Sequence, residues 1–138
     1  MLIKMKTFDE KILKPLRASL LVRESELIGK IGEARESNIS AADAIGIAAT
    51  DVKDFEDLAS IQERTTLIDA EEKRDRSELE NVRAALDRHK DGSYGICIDC
   101  AQPVSLQRMT AIPEAARCVK CQTQFELRTE VTIKSWLY

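Results

Sequence analysis

Two stretches of this chain repeat mainly apolar or small residues at alternating spacings of four and three. The first stretch contains Leu20, Glu24, Leu27, Ile31, Ala34, Asn38, Ala41, Ile45 and Ala48. The second contains Leu58, Ile61, Thr65, Ile68, Glu72, Asp75, Leu79, Val82, Leu86 and His89. A repeat of about 3.5 residues is typical of helices that bury one seam against a partner helix. Joined by a short polar segment, the two stretches predict a long antiparallel coiled-coil hairpin.

The seam includes several polar positions, and two explanations for them stay open. If the chain folds back near residue 53, Asn38 faces Ile68 and Ala34 faces Glu72. Long charged side chains can leave a thin two-helix core while their stems cover its edge. Alternatively, buried polar groups can fix the register of the two helices at a cost in stability.

The segments on either side of the hairpin are also apolar enough to form helices. Residues 1–19 include Pro15, so we expect a helical segment that packs near the base or extends the first arm, with a kink or restart at the proline. Gly92 predicts the end of the second arm. We therefore divide the chain into an N-terminal helical segment of a globular base (1–19), a coiled-coil hairpin (20–91) and a terminal module with its own helix (92–138).

The terminal module contains all four cysteines of the chain. Cys97 and Cys100 form one CxxC pair, Cys118 and Cys121 form the other, and 17 residues separate the pairs. This spacing is typical of a tetrahedral zinc site with four thiolate ligands. Because all four ligand positions are filled by protein, we expect one structural zinc ion. The alternatives are two disulfides or unrelated buried thiols.

Composition limits the class of protein. Charged residues make up 33% of the chain and aromatic residues 4%, which suits exposed helices better than a thick core. There is no apparent secretory signal and no membrane-length apolar run, so we expect a cytoplasmic protein in which thiols stay reduced. The net charge of −3 disfavours sequence-independent binding to nucleic acid.

The segment between the two arms, residues 50–59, is unusually acidic. It contains Asp51, Asp54, Glu56 and Asp57 around Phe55, while the usual turn residues Gly, Asn and Pro are absent. Helix capping and turn formation explain one or two of these carboxylates. The others have no obvious structural purpose at the end of a hairpin.

Together, these features resemble the DksA/TraR family of bacterial transcription factors, which enter the secondary channel of RNA polymerase. The resemblance covers residues from about 20 to 128. It rests on three stretches of the zinc module and on the DxxDxA pattern at the tip: YGICIDC at 94–100, RMTAIP at 108–113, CVKC at 118–121, and DFEDLA at 54–59.

This resemblance implies a mostly α-helical fold: a long antiparallel coiled-coil hairpin on a small four-cysteine zinc-finger base, with flanking N- and C-terminal helices. It implies that the tip residues Asp54, Asp57 and Ala59 alter promoter open complexes without direct DNA binding. Arg74 and Arg108 match family positions and are candidate contacts to polymerase. We expect a monomer with no membrane association and no enzymatic activity.

The chain also departs from the family pattern. Basic positions that help family members hold (p)ppGpp at the polymerase interface correspond to Asn81, Ile112 and Gln122. A multiply phosphorylated nucleotide favours Lys or Arg at such positions. We therefore expect reduced dependence on (p)ppGpp, which would bind only at that interface.

Three rival functions remain at this stage. A transcript-cleavage factor of the secondary channel would also use an acidic hairpin, in that case to hold a second magnesium ion. A zinc-ribbon module could bind nucleic acid, although aromatic residues for base stacking are scarce near the cysteines. A thiol or zinc sensor has no cue beyond the metal site itself. The single histidine, His89, lies in the seam, where packing is a better explanation than catalysis.

Overall fold

The computed structural model describes residues 8–48 and 55–136. Within these residues the chain forms four helices: α1 (Glu10–Ala48), α2 (Phe55–Asp91), α3 (Leu106–Ala111) and α4 (Val119–Trp136). Backbone contacts divide the chain into two compact units. The first unit contains residues 1–22 and 81–138, and the second contains residues 23–80.

The second unit is the hairpin that the repeat predicts, with the arms of α1 and α2 side by side and antiparallel. Arg23 Nε donates to Glu78 Oε1 at 2.6 Å near one end of the unit. Farther along, Asn38 Nδ2 donates to Asp69 Oδ1 at 2.7 Å. The residue expected to face Asn38 was Ile68, and Asp69 is its neighbour on the exposed side of α2.

The seam of this unit is apolar at Leu27 and Ile31, which are 0% and 9% exposed. Glu72 occupies a seam position, yet its side chain is only 14% exposed. Arg76 Nη2 and Arg35 Nε lie 2.6 Å and 3.7 Å from its carboxylate, so two cations compensate for the partial burial of this charge.

The first unit begins with the first turns of α1. The Asp9 carbonyl accepts from the N–H groups of Ile12 and Leu13 at 2.9 and 3.0 Å, which starts the helix. Pro15, where we expected a kink or restart, lies inside α1, and the helix assignment continues through it. The carbonyl that Pro15 leaves without its helical donor is that of Lys11, an exposed residue, so water can hydrate it.

The helix α2 ends at Asp91, as the glycine signal predicts. Gly92 has φ +82°, and its N–H and that of Ser93 both donate to the Arg88 carbonyl at 3.0 Å. A residue in this left-handed conformation closes a helix by satisfying its last carbonyl groups. The chain then enters the cysteine-containing module.

The N-terminal segment packs on that module at a second glycine. Gly95 has φ +82°, and a Cβ atom built there would collide with the ring of Phe8, at 2.9 Å from its Cδ2 atom and closer still to Cε2. Glycine is therefore required at this position for two reasons: the left-handed backbone conformation and the close approach of the aromatic ring. Among the described residues, no helix is both long and apolar enough to cross a membrane.

Candidate metal centre

The four cysteine sulfurs converge at one point of the first unit. The Sγ atoms of Cys97, Cys100, Cys118 and Cys121 all lie within 4.8 Å of one another. Cys100 Sγ and Cys118 Sγ are 3.9 Å apart. A zinc ion bound at about 2.3 Å to each of four tetrahedral sulfurs requires edges of about 3.8 Å. The donor set therefore fits one zinc ion.

The disulfide alternative does not fit the same geometry. All four cysteines are free. A disulfide would bring two sulfurs to about 2.05 Å, far below the observed separation of 3.9 Å between Cys100 and Cys118. The module is a four-thiol cluster.

The first CxxC pair lies on a tight turn held by backbone hydrogen bonds. The N–H of Cys97 donates to the Gln102 carbonyl at 2.9 Å, and the N–H of Ala101 donates to the Cys97 carbonyl at 3.0 Å. Ile96 and Pro103 form an isolated antiparallel bridge that closes the turn. Ala101 adopts φ +57°, a left-handed conformation that costs a non-glycine residue about 1–2 kcal/mol. Some backbone strain at Ala101 is therefore part of the turn that places the Cys97 and Cys100 sulfurs on the same side.

The second CxxC pair lies at the start of a helix. Cys118 directly precedes α4, Cys121 lies in its first turn, and the N–H of Gln122 donates to the Cys118 carbonyl at 2.9 Å. The positive end of the helix dipole favours negative charge at this position.

The ionisation of the sulfurs shows why a cation belongs between them. Burial opposes ionisation of Cys97, but backbone N–H groups of Cys100, Cys118 and Asp99 lower its pKa to about 6. In contrast, the side-chain hydrogen bond with Cys118, followed by burial, raises the pKa of Cys121 to about 12. Four thiolates this close repel one another. A divalent cation at the centre removes that repulsion, which is the chemistry of a structural zinc site.

Side chains outside the CxxC motifs connect the two pairs. Arg117 Nε donates to Asp99 Oδ2 at 2.7 Å, and its guanidinium carbon lies 4.0 Å from the ring centroid of Phe125. Arg108 Nε donates to the Arg117 carbonyl at 2.9 Å. Arg108 is also the candidate contact to polymerase, and that expectation stays a prediction. Sequence reasoning gave neither Asp99 nor Arg117 a role in the metal site, although their positions next to Cys100 and Cys118 were a usable signal.

Further side-chain contacts attach the cysteine module to the C-terminal end of α2. The Tyr94 hydroxyl donates to the Pro113 carbonyl at 2.8 Å, and its ring stacks on His89 with 3.7 Å between centroids. Burial raises the pKa of Tyr94 to about 12, so the phenol remains a donor at neutral pH. Arg88 Nη2 donates to the Glu114 carbonyl at 3.3 Å. Tyr94 therefore has a structural purpose in the module, as Gly95 does in its packing against Phe8.

Of the remaining candidate residues, Asp54 lies outside the described residues. Asp57 lies in the first turn of α2, although its side chain is also outside the description. Ala59 and Arg74 are exposed on the same helix. Ala59 and Arg74 therefore belong to a different unit from the cysteines.

Three comparisons bear on the module and on the chain as a whole. Residues 92–127 match the family described as the prokaryotic dksA/traR C4-type zinc finger. The RNA polymerase-binding transcription factor DksA of Caulobacter vibrioides is 35% identical over 78 residues, which cover 56% of this chain and 55% of that protein. An uncharacterised protein of Aquifex aeolicus is 23% identical over 93% of this chain and 86% of its own length.

The fold has a relative among solved structures. Transcription factor DksA2 from Pseudomonas aeruginosa superposes with a TM-score of 0.70 at 25% identity, covering 88% of both chains. That coverage necessarily includes much of the hairpin as well as much of the base. By sequence, however, the chain spans only about half the length of the DksA relatives that it matches, 55% in the Caulobacter protein.

Proposed function

Because the chain belongs to the DksA/TraR family of C4-type zinc-finger proteins, we propose that it is a transcription factor that binds RNA polymerase. More specifically, the hairpin enters the secondary channel, and its acidic tip changes the stability of promoter open complexes without direct contact to DNA. The protein acts as a regulator and not as an enzyme. Asp54, Asp57 and Ala59 are the tip residues that exert the effect.

The observation that carries this proposal is the combination of one family-specific zinc finger with one two-helix hairpin in the same chain. The finger covers 92–127 and the hairpin unit covers 23–80. The likeness to Pseudomonas DksA2 extends over 88% of the chain, so it is not limited to the finger. A zinc-ribbon module that binds nucleic acid would not need such a hairpin.

The position of the tip residues supports an electrostatic mechanism. Asp57 lies in the first turn of α2, directly after the segment that joins the two arms. Inside a channel, where water is limited, a charge interacts more strongly with nearby cations than it does in bulk solvent. The tip must interact differently with the two states of the promoter complex, since otherwise it cannot shift their equilibrium.

Three residues support reduced dependence on (p)ppGpp. Asn81 and Ile112 are exposed and uncharged, and Gln122 Nε2 donates to Glu126 Oε1 at 2.8 Å. All three lie in the first unit at positions where the family resemblance implies basic side chains. Asn81, Ile112 and Gln122 therefore offer phosphate groups none of the bidentate or point-charge contacts that Arg or Lys would supply at these positions.

The test is in vitro transcription from a ribosomal RNA promoter with purified polymerase. Wild type is compared with Asp57→Asn and Ala59→Thr, and Asp87→Asn is the matched control because it makes the same chemical change at an exposed position far along α2. We expect the two tip variants to lose most of the regulatory effect while they still bind polymerase in a competition assay. The control should behave as wild type. Equal regulation by all four proteins would contradict the tip mechanism.

Two further measurements with the same polymerase test the dependence on (p)ppGpp and the absence of transcript cleavage. Addition of (p)ppGpp should change the effect of the wild-type protein only slightly, and full synergy would refute the reduced dependence. With a backtracked elongation complex, the protein should leave the RNA 3′ end intact. A shortened transcript would instead identify a cleavage factor.

A further inference from the structure

The two CxxC turns are joined by an ion pair as well as by the metal site. Asp99 lies inside the first CxxC motif, Arg117 directly precedes the second, and Arg117 Nε donates to Asp99 Oδ2 at 2.7 Å. Their side chains are 21% exposed for Arg117 and 45% exposed for Asp99. An exposed ion pair formed by free side chains contributes little. This pair differs because other contacts hold one partner in place.

Two contacts besides the Asp99 bond hold Arg117. Its guanidinium lies over the Phe125 ring at 4.0 Å, and its backbone carbonyl accepts from Arg108 Nε at 2.9 Å. The face of an aromatic ring attracts a cation. The ring contact orders the guanidinium in advance, so the bond to Asp99 costs less side-chain entropy than a free surface pair.

This bridge lies beside the more accessible pair of metal-site sulfurs. Asp99 is next to Cys100, which is exposed, and Arg117 is next to Cys118, which is half-buried. Cys97 and Cys121, by contrast, are 2% and 9% exposed. A competing chelator or thiol therefore reaches the cluster most easily at the edge between Cys100 and Cys118. Separation of the two CxxC turns at that edge would open the site.

We propose that Asp99 and Arg117 form a clamp that slows the loss of zinc by holding the Cys100–Cys118 edge closed. They are positioning residues, since neither is a metal ligand. Arg117 also places a positive charge beside a zinc–tetrathiolate group with a net charge of −2. The clamp concerns metal retention alone, so a failure of this proposal and a failure of the proposed action on polymerase can be told apart.

The test measures the rate at which the zinc-loaded full chain transfers its metal to an excess of the chromogenic chelator 4-(2-pyridylazo)resorcinol. The variants are Asp99→Asn, Arg117→Gln and the double substitution. Residues around metal ligands typically change metal affinity by 10–100-fold, so we expect each single variant to release zinc about 10-fold faster. Because the two residues act as one bridge, the double variant should be no faster than the faster single variant.

Two controls distinguish a clamp from a general effect of charge or folding. Arg128→Gln removes an exposed cation of α4 and should release zinc at the wild-type rate. Arg117→Lys keeps the charge but not the planar group, so its rate should lie between those of wild type and Arg117→Gln. The cobalt-substituted proteins should all show the same tetrahedral absorption bands, because the four ligands remain in place.

Asp99→Asn is a nearly isosteric change at a partly exposed position, so we expect this variant to fold. The test can therefore be carried out even if Arg117→Gln does not fold. The clamp is refuted if Asp99→Asn and Arg117→Gln release zinc within about twofold of wild type, well below the effect expected of a supporting residue. It is also refuted if Arg128→Gln accelerates release equally, or if the effects of the two single substitutions simply multiply in the double variant.

Discussion

At the scale of single residues, the cysteine-containing module depends on two residues with a left-handed backbone conformation. The contacts that accompany this conformation involve other residues of the chain. Gly95 has a left-handed φ and lies directly under the ring of Phe8, so its requirement involves a residue from the opposite end of the chain. Ala101 adopts a similar conformation without glycine, because the turn around Cys97 fixes it there. The CxxC spacing predicts the metal site, but it does not predict either of these backbone requirements.

His89 provides a prediction at this scale because its half-buried ring stacks on Tyr94 and lies near two arginines. Burial lowers the pKa of His89, and Arg17 on α1 and Arg88 on α2 lower it further against the opposing influence of Glu10. Below a pH of about 6.5 the unfolded chain therefore binds a proton that the folded chain resists. The free energy of unfolding should consequently fall as the pH falls through this value.

The matching experiment uses His89→Phe, which keeps an aromatic ring for Tyr94 and removes the titrating group. Urea unfolding at saturating zinc is measured from about pH 7.5 to about pH 6, a range in which the zinc thiolates affect both proteins alike. Relative to wild type, the variant should gain stability steadily as the pH falls. A difference between the two proteins that does not change with pH would exclude the histidine as the cause.

At the scale of elements, α1 and α2 follow the predicted repeat. The partners of the polar residues in this repeat became known only from the structure. Glu72 stays in the seam because Arg76 from its own helix and Arg35 from the other both reach its carboxylate. Asn38 finds Asp69 across the hairpin. Glu72 therefore does not leave the core, as the first explanation from the sequence expected, but is compensated in place. The Asn38–Asp69 pair lies where it can set the register, as in the second explanation.

Two neighbouring residues of α1 test the direction of this seam. Leu27 is 0% exposed and Ile28 is 48% exposed, although the two differ by only one position in the chain. Leu27→Ala should lower the free energy of unfolding by about 2–5 kcal/mol, because it removes buried contacts and leaves a cavity.

Ile28→Ala is the control on the solvent side of the same helix and should cost less than about 1 kcal/mol. Both values come from urea unfolding of the zinc-loaded protein, followed by far-ultraviolet circular dichroism. Similar losses in the two variants would mean that α1 faces its partner with a different side.

At the scale of the whole molecule, the chain contains two units with separate means of stabilisation. The hairpin unit of residues 23–80 has an apolar seam and ion pairs between its arms. The unit of residues 1–22 and 81–138 depends on the four-cysteine cluster, whose sulfurs repel one another without a cation. Metal binding should therefore affect the two units unequally.

Removal of zinc tests this division. Chelation should abolish the protection of backbone amides from hydrogen exchange within residues 92–127, because folding of a structural zinc module depends on its metal. Amides of α1 and α2 within residues 23–80 should keep most of their protection. Hydrogen-exchange mass spectrometry resolves the two regions, and equal loss of protection in both would contradict separate stabilisation.

The sequence by itself determined the helical hairpin, the end of α2 at Asp91 and the convergence of four cysteines. Each follows from local rules: a 3.5-residue repeat, a glycine after the last helical residue, and the spacing of metal ligands. Only the tertiary structure decided that Arg108 bonds within the cysteine module, that Arg117 reaches Asp99, and that Phe8 packs on Gly95. These contacts join residues distant in the chain, and their partners depend on how the backbone folds in three dimensions and not on any repeat or spacing.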